Sequence, residues 1–259
     1  MYSTSIRRHN MTDDNAWLSK CTRQTLPVPP LERYIHILPD NVVKKRLAPH
    51  ERGEKGYVPD FATLKDRDDN EIAAIKLVED NLPNFTVRVP KLVYQGADFN
   101  VWTRIPGVCV DRVEQWAKIS PRQMQGLVYQ ARDLILQLSR IPNPYPDYIV
   151  RSPHDTGRLF RPKQFSDVGP FTSVQSLLAG NPHLEGEIHP YSRPVFSHMD
   201  WDMSNIILAP NLDYIIGVVD FERAAWFPEG GKALHNAVFQ WDGWKELFDG
   251  SEEWLEGRQ

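Results

Sequence analysis

The sequence is poor in cysteine. Only Cys21 and Cys109 occur among 259 residues; they are too few and too scattered for a disulfide framework or a metal knuckle, and isolated thiols fit a reducing compartment. Long apolar runs are also missing. Nothing approaches the roughly 20 consecutive apolar residues of a membrane span, so no membrane partner is expected. Positive charge is not in excess either: 30 Lys and Arg stand against 34 Asp and Glu, a net charge of −4. That leaves no broad basic field for a phosphate backbone, which argues against nucleic acid as a partner. Arg7 and Arg8 are not followed by an apolar segment, and Asp13 and Asp14 come soon after, so no targeting leader is read and a cytoplasmic location is expected. Internal repeats and low-complexity tracts are absent. What remains is an ordinary folded composition, 41% hydrophobic, 25% charged and 11% aromatic, with apolar material enough for a core. The length suits one large domain or two small ones.

The chemistry concentrates in residues 196–222, FSHMDWDMSNIILAPNLDYIIGVVDFE. Two apolar runs, 206–208 and 214–219, flank a turn containing Pro210, Asn211 and Asp213, and this pattern predicts a β-hairpin. Antiparallel pairing about the turn puts Asn205 and Asp220 at the same end, on neighbouring strands roughly 5 Å apart. An amide oxygen and a carboxylate so placed can share Mg²⁺, which takes oxygen ligands and keeps other positions for water and phosphates. Asp200, shortly before Asn205, then faces the same spot. Each of the three alone is an ordinary turn former; the spacing of all three around one hairpin is what points to a site.

His198-x-Asp200-x-x-x-x-Asn205 followed by Asp220-Phe221-Glu222 resembles the catalytic loop and metal-binding motif of the aminoglycoside phosphotransferase and choline kinase-like family, particularly its fungal members. Ala225-Trp226-Phe227-Pro228-Glu229 continues much as that family does. The resemblance runs over roughly residues 33–230 and implies an α+β, protein-kinase-like two-lobed fold. A small β-rich N-lobe over 31–106 would bind ATP, and a larger, mainly helical C-lobe over 107–259 would carry the catalytic loop, the metal site and the acceptor site. By the same resemblance Asp200 is the base that takes the proton of a small-molecule hydroxyl, and Asn205 and Asp220 are the Mg²⁺ ligands.

Residues 1–30 are polar, lack a clear period and end in Pro27, Pro29 and Pro30, so an irregular arm is expected. Residues 34–38, the turn Pro39-Asp40-Asn41 and residues 42–45 predict a hairpin, which resembles the strand pair carrying the phosphate-binding Lys. That points to Lys44, with a solvated Lys pair as the plainer alternative; Lys45 faces the opposite way, so only one can serve. The preceding strand has no glycine-rich phosphate loop. From residue 68 to about residue 81 the spacing of Ile72, Ile75 and Val78 predicts a helix with an acidic start. Glu71 lies beside its apolar stripe. A buried carboxylate needs a partner, and the kinase-like Lys–Glu pair would give it Lys44; the competing reading is a first-turn Glu in water. Residues 87–94 and 99–105 read as strands, the first interrupted by Pro90. The resemblance makes the backbone around Thr103 and Ile105 the adenine-binding hinge, with the bulky Trp102 beside it.

Ser120-Pro121-Arg122-Gln123 is a capping box opening a helix with Leu127, Ala131, Leu134, Ile135 and Leu138 on one face, ended by Pro142, Pro144 and Pro146. Gly169-Pro170-Phe171 leads into a short helix near residues 173–178. His154, His183 and His189 lack metal-like spacing and are expected at the surface. Phe239, Trp241, Trp244, Phe248 and Trp254 predict a final helix or two. The sequence then stops, so the acceptor side is expected to be open or completed by a protein partner. Three activities compete: an ATP- and Mg²⁺-dependent phosphotransferase acting on a hydroxyl; a pseudokinase that keeps the fold as a nucleotide- or protein-binding module; and a metal hydrolase using His198 and Asp200, which needs more ligands than the loop supplies.

Overall fold

The computed structural model describes residues 11–110, 117–160, 165–186 and 188–229. The chain divides into two compact units, one made of residues up to Lys65 with Pro90–Arg104, the other of Asp66–Val89 with the described residues from Ile105 on. The segment 66–89 groups with the larger unit.

In the smaller unit, helix α1 (Met11–Leu18) precedes strands β1 (Arg33–Ile37) and β2 (Asn41–Arg46). Helix α2 (Phe61–Asn81) starts there, and β3 (Leu92–Gln95) and β4 (Phe99–Thr103) complete a four-stranded antiparallel sheet in the order β1-β2-β4-β3. Val43 lies across from Val101, and Lys45 from Phe99. Strand alternation thus gathers Val43, Val101 and Phe99 on one face. With Leu38 they form a buried cluster, against which Trp17, Leu18, Cys21 and Tyr94 pack. The arm expected to be irregular is helical over Met11–Leu18: its first turn holds Asp13 and Asp14 where the helix dipole favours acid, and Trp17 and Leu18 give it apolar surface to bury.

A hydrogen bond ties α1 to the sheet. Tyr94 Oη donates to Asp14 Oδ1 at 2.5 Å, and this bond, with burial and the carboxylate charge, pushes the Tyr94 phenol up to about 12. An unfolded tyrosine ionises near 10. Between those values the unfolded chain has lost a proton that the folded chain keeps, so stability falls as pH rises. Denaturation midpoints measured from about pH 9 to about pH 12 should decline in the parent and decline less in Tyr94→Phe; parallel declines would show that the bond carries no alkaline sensitivity.

The larger unit takes α2 from Asp66 onward. The helix begins at Phe61, ahead of the start read from sequence near Asp68. The reason is chemical: its buried side runs through Leu64, Arg67, Asp68, Asn70, Glu71, Ala74, Ile75 and Val78, so the first turns of that side are polar and show no apolar period. Helix α3 (Pro121–Leu138) has the expected box, with Ser120 Oγ accepting from the Gln123 amide and Gln123 Oε1 accepting from the Ser120 amide. Its buried face includes Leu127, Ala131, Leu134, Ile135 and Leu138. A short β5 (Val108–Cys109) precedes α3, and α4 (Val174–Gly180) follows it. Then come β6 (Pro194–Ser197), β7 (Ile206–Leu208), β8 (Ile215–Val218) and β9 (Ala225–Pro228), paired as the sheets β5-β7-β8 and β6-β9. A cluster including Val150, Phe165, Leu177, Val195, Met199 and Phe227 packs under α4.

Residues 87–94 do not make one strand. Arg88 bridges Gly217 in parallel within the larger unit, through Arg88 N to Ile216 O and Val218 N to Arg88 O, both 3.0 Å, whereas Leu92–Gln95 joins the smaller unit's sheet. Pro90, with no N–H to give a ladder, stands where the pairing changes partner. Among the described histidines, His183 and His189 are exposed as expected. His154 is not: it packs edge-on against Phe160, 3.9 Å from Asp66. The aromatic tail from Phe239 to Trp254 lies outside the described residues. Among the described residues no helix is long and apolar enough to cross a membrane.

Candidate active site

The hairpin at the centre of the sequence reading forms as β7 and β8, antiparallel, with Ile206 opposite Val218. One step further, Val219 N donates to Asn205 O at 3.0 Å, which brings Asn205 and the strand leading to Asp220 to one end. The far end is pinned by α3: Gln123 Nε2 donates to Asn211 O and Asp213 Oδ1, Gln130 Nε2 to Asp213 O, each 2.9 Å, and Gln130 Oε1 accepts from Ile215 N at 3.0 Å. A helix with a buried apolar face thereby fixes the turn, and the turn fixes the register.

Asp200 and Asn205 are 9% and 7% exposed. Asn205 Nδ2 donates to the Asp200 carbonyl at 3.0 Å and to Asp200 Oδ2 at 3.3 Å. From the other side Arg223 Nη1 approaches Asp200 Oδ1 at 3.5 Å. The carboxylate is held at both oxygens, and a carboxylate has more acceptor sites than these two contacts use. With its amide nitrogen committed to Asp200, Asn205 keeps Oδ1 as a hard oxygen donor, and Asp220 contributes a carboxylate. Two oxygen donors, with water and phosphate oxygens left to complete the shell, are a set Mg²⁺ accepts, so the residue types present fit that ion. Among the described residues no three His, Cys, Asp or Glu side chains gather as a metal cage.

Two backbone positions here are left-handed: Met199 at φ 62° and Asp220 at φ 68°. Asp is among the few side chains that tolerate this region, whereas a methionine there is a departure. Met199 is fully buried, and packing holds it. His198 Nε2 lies 2.9 Å from Val219 O; a carbonyl only accepts, so this nitrogen carries the proton and the imidazole braces β8. Its ring packs edge-on against Phe221 at 4.5 Å. That is a bracing role rather than a metal-ligating one.

The other residues singled out from sequence are distributed over both units. In the smaller unit Lys44 lies on the sheet face opposite the Val43 cluster, directly across from Asn100, while Lys45 reaches Asp98 at 3.9 Å. Thr103 N donates to Lys91 O at 2.9 Å and Thr103 Oγ1 accepts from Lys91 N at 2.8 Å, so contact with a base through Thr103 would use its carbonyl. The β1–β2 turn has no glycine; Leu38 N donates to Asn41 O, and Arg104 N to Asp40 O. In the larger unit Glu71 is 1% exposed and well inside α2, so the reading of a first-turn Glu in water does not hold. Ile105 touches the position a Gly217 side chain would occupy, at 2.8 Å, which explains why β8 carries glycine there.

Sequence reasoning missed Arg67, Asn70 and Arg223. Arg67 and Asn70 lie on the buried side of α2, and Arg67 pairs through Nε and Nη2 with Glu222 Oε1. Polar residues three apart and in phase with Leu64, Ala74 and Val78 were the available signal.

The hairpin sets Asp200 and Asn205 side by side, with Asp220 following β8. Residues 58–228 match the model of the phosphotransferase enzyme family, and the chain belongs to that family. Solved structures agree on the fold. It is similar to an APH(2'')-IIa complex with streptomycin and ATP at TM-score 0.57 and 15% identity, covering 95% of this chain and 82% of that one. The gentamicin complex of APH(2'')-IIa gives 0.55 and 14%, covering 94% and 81%. ADP-bound APH(2'')-Ib gives 0.54 and 14%, covering 93% and 81%. The fold is thus α+β, two-lobed and kinase-like. No curated protein matches the sequence significantly.

Proposed function

We propose that the protein transfers the γ-phosphoryl group of ATP to a hydroxyl of a small molecule, with Mg²⁺ on Asn205 and Asp220 and Asp200 as the base. The carrying observation is Asp200, nearly buried and held at both carboxylate oxygens by Asn205 and Arg223. The hydroxyl oxygen bonds to the γ-phosphorus, the bond to the bridging oxygen breaks with its electrons leaving on ADP, and the hydroxyl proton passes to Asp200. When bound, Mg²⁺ neutralises charge on the phosphates. Asn205 orients the base through Oδ2, and Arg223 holds its Oδ1. Lys44 is proposed for the ATP phosphates, with Glu71 as its functional partner, and the backbone at Thr103 and Ile105 for the adenine. Structures of similar fold hold gentamicin and streptomycin, which supports a polyhydroxylated acceptor.

Calorimetric titration with ATP, with and without Mg²⁺, tests the nucleotide half, and turnover over hydroxyl acceptors from aminoglycosides to amino alcohols tests the rest. The glycine-free turn held by Arg104 favours a second reading, a binding module; MgATP binding without turnover on any acceptor would select it. Lys44→Ala and Glu71→Ala should each impair transfer, with the double variant costing less than the sum. Strict additivity would show that the two act separately.

A further inference from the structure

The turn after Asp220 is gripped from α2. It is a single 3-10 turn, Phe221–Arg223, with Asp220 as its left-handed N-cap residue. Three residues cannot hold their own place. Arg67 gives two N–H groups to Glu222 Oε1, with Nε at 3.1 Å. Asn70, three residues on and on the same side of the helix, donates from Nδ2 to Glu222 O at 3.0 Å and Ala224 O at 3.1 Å. Asn70 Oδ1 in turn accepts from His154 N at 2.9 Å. Arg67, Asn70 and Glu222 are all buried. The same turn carries Arg223, which touches Asp200 and lies 4.0 Å from Glu222 Oε1. Charges therefore alternate from α2 to the base: Arg67, Glu222, Arg223, Asp200.

We propose that Arg67 and Asn70 are positioning residues: by fixing this turn to α2 they set the direction of Asp220 and the reach of Arg223, so that metal–nucleotide binding depends on a helix that does not touch the metal. The proposal rests on the phosphotransferase reading of the site. A purely structural anchor would change stability alone; a positioning role changes affinity per folded molecule. Partners of metal ligands act in this way, at about tenfold or more in affinity.

The test uses the full chain, Mn²⁺ with ADP as probe, and electron paramagnetic resonance of free Mn²⁺ as readout, beside thermal melting. Removing one charge of a buried pair strands the other, whereas removing both does not. Arg67→Met/Glu222→Met is thus expected to melt near the parent yet bind Mn²⁺–ADP about tenfold more weakly. Asn70→Ala should weaken binding in the same direction, and Arg67→Lys should retain part of it. A double variant that melts and binds like the parent overturns the proposal. If that variant does not fold, Asn70→Ala decides: parent-like affinity overturns, weaker affinity supports. A parent that binds no Mn²⁺–ADP overturns both this proposal and the phosphotransferase reading, whereas a binding parent with unaffected variants overturns the positioning role alone.

Discussion

Asp200→Asn is expected to bind MgATP about as well as the parent and to lose roughly 10²-fold or more of its phosphoryl transfer, the usual range for a missing general base. The substitution is nearly isosteric and keeps an oxygen for Asn205 Nδ2, so the hairpin that Asn205 and Val219 build should persist. What it removes is the proposed proton acceptor. Rapid-quench or coupled assays of transfer, set beside calorimetric ATP binding on the same samples, separate the two effects. Loss of ATP binding or of folding would make Asp200 a structural residue. Unchanged turnover would make it a bystander.

Asp220→Asn is the second large effect, and it lies on binding instead of turnover. Asparagine accepts the left-handed backbone that Asp220 adopts, so the turn and its ties to α2 should be kept. The carboxylate is lost, leaving the proposed Mg²⁺ site two neutral amide oxygens. With so few protein donors, the site relies on phosphate oxygens to complete the shell, and MgATP affinity should fall at least about tenfold while ATP alone is bound as before. Titrating ATP with and without Mg²⁺ in parent and variant reads this directly. Equal affinity in the two proteins, or a parent indifferent to Mg²⁺, removes Asp220 from the metal site.

Much of the hairpin and of α3 was legible because local chemistry specified both: apolar runs around a Pro-Asn-Asp turn for the first, a capping box and an apolar stripe for the second. Helix α1 was missed because its large apolar side chains, Trp17 and Leu18, show no helical period, and they matter only once Leu38, Val43, Phe99 and Val101 have formed a face to receive them. The start of α2 was missed because its buried side is charged there; nothing in residues 61–70 reveals that Glu222, far along the chain, will neutralise Arg67. The pairing of β6 with β9, Pro194 across from Pro228, is likewise long-range. Of the candidate site, spacing drew attention to Asp200, Asn205 and Asp220, while Arg67, Asn70 and Arg223, which bond to that loop and to the turn after it, were not singled out.

The left-handed backbone at Asp220 also shapes how the chain can drift. Glycine and asparagine are, with aspartate, the residues most at home in that conformation, and both are one nucleotide change from an aspartate codon. Most other replacements would meet backbone strain and strike folding first. Mutation at this position is therefore channelled: the variants that survive as folded proteins are those that have given up the carboxylate. On the proposed reading of Asp220 as a metal ligand, a lineage that no longer needed phosphoryl transfer could lose it here in one step and keep the fold intact for other uses.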